Sequence, residues 1–126
     1  MPKKVVLSKN APKAIGPYSQ AIEANGMLFV SGQIPVNPAT GKIEGRTVAE
    51  QTEQVLQNTG AILSAAGYSF ADVVKSTCLL ADMKYFQDMN AVYARYYPTD
   101  APARAAFAVK ELPMNALVEI ETVAVK

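Results

Sequence analysis

The segment TVAEQTEQVLQNTGAILSAA, residues 47–66, predicts the longest helix of the chain and separates two sets of strands. Thr47 and Glu50 have the spacing of a capping box, in which each side chain binds the other residue's backbone N–H at the helix start. Residues of one face then recur every three or four positions, namely Val48, Thr52, Val55, Thr59, Ile62, Leu63 and Ala66. Gly67 follows at a position where helices commonly end.

The segments on either side of this helix predict strands and one further helix. Asn25-Gly26 is a strong hairpin signal between two runs of strand-forming residues. The run 31–45 is rich in Gly, Pro and Asn and predicts a loop. A second helix is expected at 85–97, because aromatic and apolar residues fall on one stripe and Pro98 ends it. Strands are expected at 4–8, 18–24, 27–31, 73–81, 104–110 and 117–125.

The resulting order, β-β-β-α-β-α-β-β, predicts a single α+β domain covering residues 1–126. Successive strands at both ends suggest hairpins, so we expect a two-layer domain whose mixed, mostly antiparallel sheet carries both helices on one face. Side chains of the last strand alternate between the two faces of the sheet, and both faces carry apolar residues. Val118, Ile120, Thr122 and Ala124 face one way, and Leu117, Glu119, Glu121, Val123 and Val125 face the other. We therefore expect another copy of the chain to cover the face without helices.

The composition excludes several classes of function. The chain has 126 residues, a net charge of +1, one cysteine and no histidine. Zinc clusters and nucleophile systems that need histidine cannot be built, and no run of basic residues suits a nucleic-acid surface. No apolar segment is long enough for a signal peptide or a membrane span. We therefore expect a cytoplasmic protein, with Cys78 as a buried apolar residue.

Arg104 is the one long polar side chain in the stretch APARAAF, residues 101–107. If strand 104–110 pairs antiparallel with the last strand through a turn near Leu112, Arg104 faces Glu119 or Glu121 on the sheet face away from the helices. An arginine beside a carboxylate suits binding of a small carboxylate ligand and activation of a water. A plain cross-strand ion pair, worth about 0–1 kcal/mol at a surface, explains the same spacing. The spacing leaves both explanations open and favours the ion pair.

Several blocks, in order along nearly the whole chain, are similar to the RidA/YjgF family of reactive-intermediate deaminases, also called 2-iminobutanoate/2-iminopropanoate deaminases. They are GPYSQA at 16–21, SGQIPVNPATG at 31–41, FQDMNAVY at 86–93, PAR at 102–104 and VEIETVAV at 118–125. The resemblance implies a chorismate-mutase-like fold and a homotrimer with a site in each cleft between subunits. It also implies hydrolysis of reactive 2-imino acids and enamines to 2-oxo acids and ammonia, without a cofactor.

The resemblance further implies roles for individual residues. Arg104 is expected to bind the substrate carboxylate, and Glu119, rather than Glu121, to position the hydrolytic water. The pocket is expected to be lined by Tyr18, Ser31, Gly32, Asn90 and the backbone beside Ala106. Ala106 stands where many members carry a cysteine, so a mechanism that uses a thiol at this position is excluded.

Two other functions fit the same residues. A trimeric regulatory protein that binds a small carboxylate without converting it would need Arg104 but not Glu119. An RNA-acting translation inhibitor is the second alternative, and the near-neutral charge and the lack of histidine count against it. We therefore predict a cofactor-independent hydrolase acting on C=N bonds, with a small 2-imino acid as substrate and neither a membrane nor a nucleic acid as partner.

Overall fold

The computed structural model describes residues 2–126 and shows a six-stranded sheet, a small two-stranded ribbon and two α-helices. The strands are β1 (Lys4–Val6), β2 (Ala21–Ala24), β3 (Met27–Gln33), β4 (Val36–Asn37), β5 (Lys42–Ile43), β6 (Val73–Leu80), β7 (Ala103–Ala108) and β8 (Val118–Val125). The helices are α1 (Val48–Ala65) and α2 (Phe86–Tyr96), and both pack on one face of the sheet. The predicted α+β architecture is therefore confirmed. Neither helix in this part of the chain combines the length and apolar character that crossing a bilayer requires.

Helix α1 begins with the predicted capping box. The Thr47 hydroxyl accepts the backbone N–H of Glu50 at 3.1 Å, and the Glu50 carboxylate accepts the N–H of Thr47 at 3.2 Å. The buried side of the helix contains six of the seven residues of the predicted stripe and adds Gln51, Leu56 and Asn58. The seventh, Ala66, is the C-cap residue and is partly buried. The chain leaves the helix at Gly67, whose φ of +81° is unfavourable for other residues. Local sequence signals thus place this helix correctly at both ends.

The segment 31–45 is more ordered than its composition suggests. Strand β3 continues to Gln33, and β4 and β5 form an antiparallel ribbon in which Val36 pairs with Ile43. The turn between them is closed by the Asn37 carbonyl, which accepts the N–H groups of Thr40 and Gly41. The prediction of a plain loop was wrong here because a turn-rich sequence can still hold two short strands in register.

Strand β7 does not pair with β8, as the sequence analysis expected. The sheet order is β1-β2-β3-β8-β6-β7, and β7 pairs with β6 in parallel. Helix α2 connects β6 to β7, and a crossover through a helix is the usual connection between parallel neighbours. The segment 109–117 then leads past β6 to place β8 on its other side. Arg104 consequently stands opposite Ser76 of β6, and its predicted cross-strand pairing with Glu119 or Glu121 is wrong.

The two faces of the sheet differ in their surroundings. On the inner face, under the helices, β8 contributes the predicted buried set Val118, Ile120, Thr122 and Ala124. On the outer face, large apolar side chains remain exposed, among them Phe29 at 44%, Phe107 at 47% and Val125 at 41%. Exposed aromatic and aliphatic side chains on one sheet face are typical of a surface that another molecule covers. This is the face on which the sequence predicts self-association.

Candidate functional site

Glu119 lies on the outer face of the sheet, at the edge of a cavity of about 410 Å³. Three of the residues predicted to line the site contribute to this cavity with it, namely Tyr18, Ser31 and Gly32. The remaining lining residues are Ile15, Ile34, Pro113 and Glu121. The structure therefore brings together four of the seven residues that the sequence analysis singled out, and we call this group the glutamate half-site.

A bulge in β3 makes room for the Glu119 side chain. The register between β3 and β8 shifts between Val30 and Gln33, so Ser31 and Gly32 lie in an irregular stretch of the strand. A Cβ atom at Gly32 would lie 2.0 Å from Oε2 of Glu119, far inside van der Waals contact. The carboxylate thus rests over a position that only glycine leaves open, so Gly32 makes room for the Glu119 side chain as well as lining the pocket.

The Glu119 carboxyl is half-buried, and its surroundings change its acidity. Burial, followed by the nearby charge of Glu121, raises the pKa of Glu119 above its ordinary value. A carboxyl whose pKa moves toward neutrality is better suited to accept and return a proton than an ordinary surface glutamate. Glu121, the alternative left open by strand spacing alone, is exposed.

Tyr18 and Ser31 are held by the segment that leads into β2. The strand begins at Ala21, so Tyr18 lies in a turn and not in the strand predicted at 18–24. Its hydroxyl accepts the backbone N–H of Ile15 at 3.3 Å, and its side chain is 48% exposed. The Ser31 hydroxyl donates to the carbonyl of Ser19 at 2.6 Å. Both side chains therefore shape the wall of the cavity through local contacts.

Arg104 forms a second group on the inner face of the sheet. Its guanidinium donates from Nη1 to Oδ1 of Asn90 at 2.7 Å. The central guanidinium carbon also lies 4.9 Å from the ring centroid of Tyr93 and 5.5 Å from that of Phe86. No acidic side chain within residues 2–126 pairs with it. Arg104 is thus a half-buried cation that α2 holds in place without neutralising it, and we call this group the arginine half-site.

The edge of β7 adds backbone donors to the arginine half-site. Val109 donates its N–H to the carbonyl of Leu80 on β6 at 2.9 Å. Alternate residues of a strand bond to the same neighbour, so the N–H groups of Arg104 and Ala106 point toward the other edge. That edge has no neighbouring strand in the sheet order. A small carboxylate placed there could accept from the guanidinium and from backbone N–H groups together.

Ala106 and Cys78 are cross-strand neighbours on the inner face. Cys78 is fully buried, and burial raises the pKa of its thiol to about 11. A thiol with that pKa is almost entirely protonated at neutral pH and is a poor nucleophile. Cys78 is therefore a buried apolar residue as expected, although it lies closer to Ala106 than its sequence position suggested.

The two half-sites lie on opposite faces of the sheet. Arg104 contacts α2 on the inner face, whereas Glu119 stands opposite Leu79 and shares the outer face with Phe107. The expectation that Arg104 and Glu119 share one face was wrong, because it assumed that their two strands pair directly. One small molecule cannot contact both side chains within a single chain.

Some residues that shape these half-sites gave no functional signal in the sequence. Phe86 and Tyr93 were interpreted as members of the core stripe of α2, yet they also contact Arg104. Gln20 organises the segment before β2, where its amide donates to the carbonyl of Pro12 at 2.8 Å and accepts the N–H of Ser8 at 2.6 Å. The spacing of Phe86 and Tyr93 predicted burial only, since Arg104 lies on a different element, and no sequence signal indicated a role for Gln20.

Comparison with known proteins gives consistent similarities over nearly the whole chain. The family model described as Endoribonuclease L-PSP matches residues 8–126. A RutC family protein of Pyrococcus horikoshii is 53% identical over 124 residues, covering 98% of each chain. The human 2-iminobutanoate/2-iminopropanoate deaminase is 44% identical over 124 residues, covering 98% of this chain and 90% of its own. The crystal structure of E. coli TdcF with bound serine superposes with a TM-score of 0.93 at 39% identity, covering 98% of both chains.

Proposed function

This chain belongs to the Endoribonuclease L-PSP family, also known as the YjgF/RidA family, and we propose that it hydrolyses short 2-imino acids to 2-oxo acids and ammonia. The observation that carries the proposal is the pair of half-sites. One holds an unneutralised arginine beside free backbone donors, and the other holds a half-buried glutamate with a raised pKa. A 2-imino acid presents a carboxylate for the first and an electrophilic C=N carbon for the second.

Arg104 is proposed to anchor the substrate carboxylate. The fork of the guanidinium can donate two parallel N–H bonds to a carboxylate, and the backbone N–H of Ala106 can supply a third. Asn90 accepts from Nη1 and therefore fixes the plane of the guanidinium. This arrangement selects small molecules with a carboxylate next to the reacting carbon.

Glu119 is proposed to handle the water and the protons. Water adds to the imine carbon while Glu119 accepts one of its protons. The carboxyl returns this proton to the nitrogen, which gives a carbinolamine. Glu119 then passes the hydroxyl proton of the carbinolamine to the nitrogen, which leaves as ammonia when the C–N bond breaks and the C=O bond forms. One imine and one water thus give one 2-oxo acid and one ammonia. The imine carbon is already electrophilic, so positioning and proton transfer account for the catalysis without a cofactor.

The complete site is proposed to form between subunits of a homotrimer. Arg104, Asn90 and Ala106 of one subunit would face Tyr18, Gly32 and Glu119 of its neighbour. The exposed apolar residues of the outer face and the unpaired edge of β7 support such an assembly. A second cavity of about 380 Å³, lined largely by apolar residues and sharing Tyr18 and Gly32 with the first, leaves space for the substrate's side chain.

The proposal is tested by generating 2-aminoacrylate with a serine dehydratase and following the decay of the derived imine with and without the protein. We expect faster decay with wild-type protein and a loss of about 10²- to 10⁴-fold in Glu119→Gln, the range typical of removing a general acid–base group. Glu121→Gln serves as the matched control and should retain activity. No acceleration by the wild-type protein would reject the deaminase.

The same assay separates the deaminase from a protein that only binds small carboxylates. A binding protein would require Arg104 and tolerate the loss of Glu119, because no water needs to be activated. If Glu119→Gln turns over imine like wild type while Arg104→Ala does not, the role proposed for Glu119 is wrong. Salt-dependent RNA binding would instead favour the function that the family's name describes.

A further inference from the structure

We propose that Tyr93 is a positioning residue that, together with Phe86, holds the guanidinium of Arg104 in the orientation needed to receive a small carboxylate. The inference rests on the proposed function in that it concerns the same anchor. It adds two residues whose side chains act through Arg104 and need not touch the substrate. We call the set Phe86, Asn90 and Tyr93 the α2 clamp.

The α2 clamp follows from helix geometry. Positions 86, 90 and 93 are separated by four and three residues, so their side chains lie on one face of α2, toward the start of β7. Each contacts Arg104, with ring centroids at 4.9 and 5.5 Å and an amide oxygen at 2.7 Å. Two rings within about 6 Å of a guanidinium stabilise the cation through their π faces. Contacts with the ring faces use none of the remaining N–H groups of the guanidinium.

The ring of Tyr93 is more tightly packed than the ring of Phe86. Its side chain is 6% exposed, and its ring packs on Tyr97 with centroids 4.6 Å apart. Tyr97 in turn packs edge-on against Phe70 at 5.5 Å. This continuous aromatic contact ties the Tyr93 ring to the protein core, so the ring cannot move away from the guanidinium without disturbing its neighbours.

The contribution of Tyr93 should come from its ring and not from its hydroxyl. The Tyr93 hydroxyl is buried and makes no hydrogen bond with the described residues. Replacement by phenylalanine therefore preserves the contact with Arg104, whereas replacement by leucine removes the π face. Tyr97 provides the matched control, because its ring belongs to the same aromatic cluster and makes no cation–π contact with Arg104.

The test measures binding of 2-oxobutanoate to the assembled protein by calorimetry, alongside kcat and KM for imine hydrolysis and the thermal midpoint. We expect Tyr93→Leu to raise the dissociation constant and KM about 3- to 30-fold, the range of a partly buried cation–π contact, with a smaller change in kcat. Tyr93→Phe should restore wild-type values. Tyr97→Leu should lower the thermal midpoint and weaken binding less than Tyr93→Leu, because the π face on Arg104 stays in place. Phe86→Leu, which removes the less buried ring, should also weaken binding. It replaces Tyr93→Leu as the test if that variant does not fold.

Several outcomes would overturn the inference. Unchanged binding in folded Tyr93→Leu or Phe86→Leu would show that the rings do not position Arg104. An equal loss in Tyr97→Leu would assign the effect to core packing. A wild-type protein that binds 2-oxobutanoate through this clamp but does not hydrolyse imines would reject the proposed deaminase and leave the α2 clamp supported. Absence of carboxylate binding by wild type would overturn both.

Discussion

The chemistry proposed for this protein depends on a carboxyl whose surroundings are unusual for a glutamate on the outer face of a sheet. Glu119 sits above a glycine, beside a second carboxylate and partly out of water. Each of these features disfavours the charged form or restricts the side chain. A titratable side chain that lines a cavity and whose pKa is shifted by its surroundings is a good candidate for function.

The raised pKa of Glu119 predicts the acid side of the pH profile. The carboxylate must be ionised to accept a proton from water, so kcat/KM should fall as the pH drops through the pKa of Glu119. Because burial and Glu121 raise that pKa, the fall should occur at higher pH than for an ordinary carboxyl. Glu121→Gln removes one of the two causes and should move the fall to lower pH. If kcat/KM falls only at the pH where an ordinary carboxyl titrates, the assignment of Glu119 as the base is contradicted.

Gly32→Ala tests the close contact between β3 and the carboxylate. The three atoms nearest a Cβ at this position all belong to the Glu119 side chain, which can rotate away. We therefore expect a change in unfolding free energy of no more than about 1 kcal/mol but a fall in kcat/KM of about 10- to 100-fold, because the carboxylate is displaced. Denaturant unfolding and the imine assay measure the two effects separately.

The control for this test is to make Gly32→Ala in a protein that already carries Glu119→Ala. With the long side chain removed, the added methyl group no longer meets the carboxylate, so the stability cost of Gly32→Ala should largely disappear. An equal cost in both backgrounds would mean that the methyl group disturbs β3 itself. In that case the glycine would serve the strand and not the placement of the carboxylate.

At the residue scale, the sequence supported some of these conclusions better than others. Family resemblance indicated seven residues of one site, and the structure places four of them, Tyr18, Ser31, Gly32 and Glu119, at one cavity. Their catalytic roles stay predictions. The contact that requires glycine at position 32 depends on a bulge between two strands about 90 residues apart in sequence, and no local pattern signals such a bulge.

At the scale of single elements, the capping box of α1 gives a clean stability test. Thr47→Ala removes the hydroxyl that accepts the Glu50 N–H and should lower the free energy of unfolding by about 0.5–2 kcal/mol. Thr47→Ser keeps the hydroxyl and should cost much less. Since Thr47 lines neither cavity, kcat/KM should not change in either variant. A similar loss in both would show that the methyl group, and not the hydroxyl, matters.

The elements that could be predicted are those encoded by nearby residues. The α1 cap and the Asn25-Gly26 hairpin turn, whose φ angles of +54° and +76° suit that turn, follow from a few adjacent positions. Which strand pairs with β7 does not follow from nearby residues. An antiparallel hairpin and a longer connection past β6 require the same strand pattern, and the choice depends on α2 packing back over the sheet. The error moved Arg104 to the wrong face.

At the scale of the whole molecule, the corrected topology strengthens the case for an assembly. With Arg104 and Glu119 on opposite faces, one chain holds two incomplete half-sites. The strand pattern required self-association only to cover apolar surface, and a site between subunits was implied by the family resemblance alone. The structure adds a chemical reason, because a second copy can bring its glutamate half-site to the arginine half-site of the first. In a closed ring each subunit would contribute one half to each of two sites.

Mixing two inactive variants tests this arrangement directly. Arg104→Ala and Glu119→Gln subunits should each be inactive alone. After the two are unfolded and refolded together in equal amounts, a site is intact when its arginine comes from a Glu119→Gln subunit and its glutamate from an Arg104→Ala subunit. Random assembly then restores about one quarter of wild-type activity. Refolding each variant alone controls for the procedure. A mixture that forms mixed trimers, shown by native mass spectrometry, yet stays inactive would contradict a site shared between subunits.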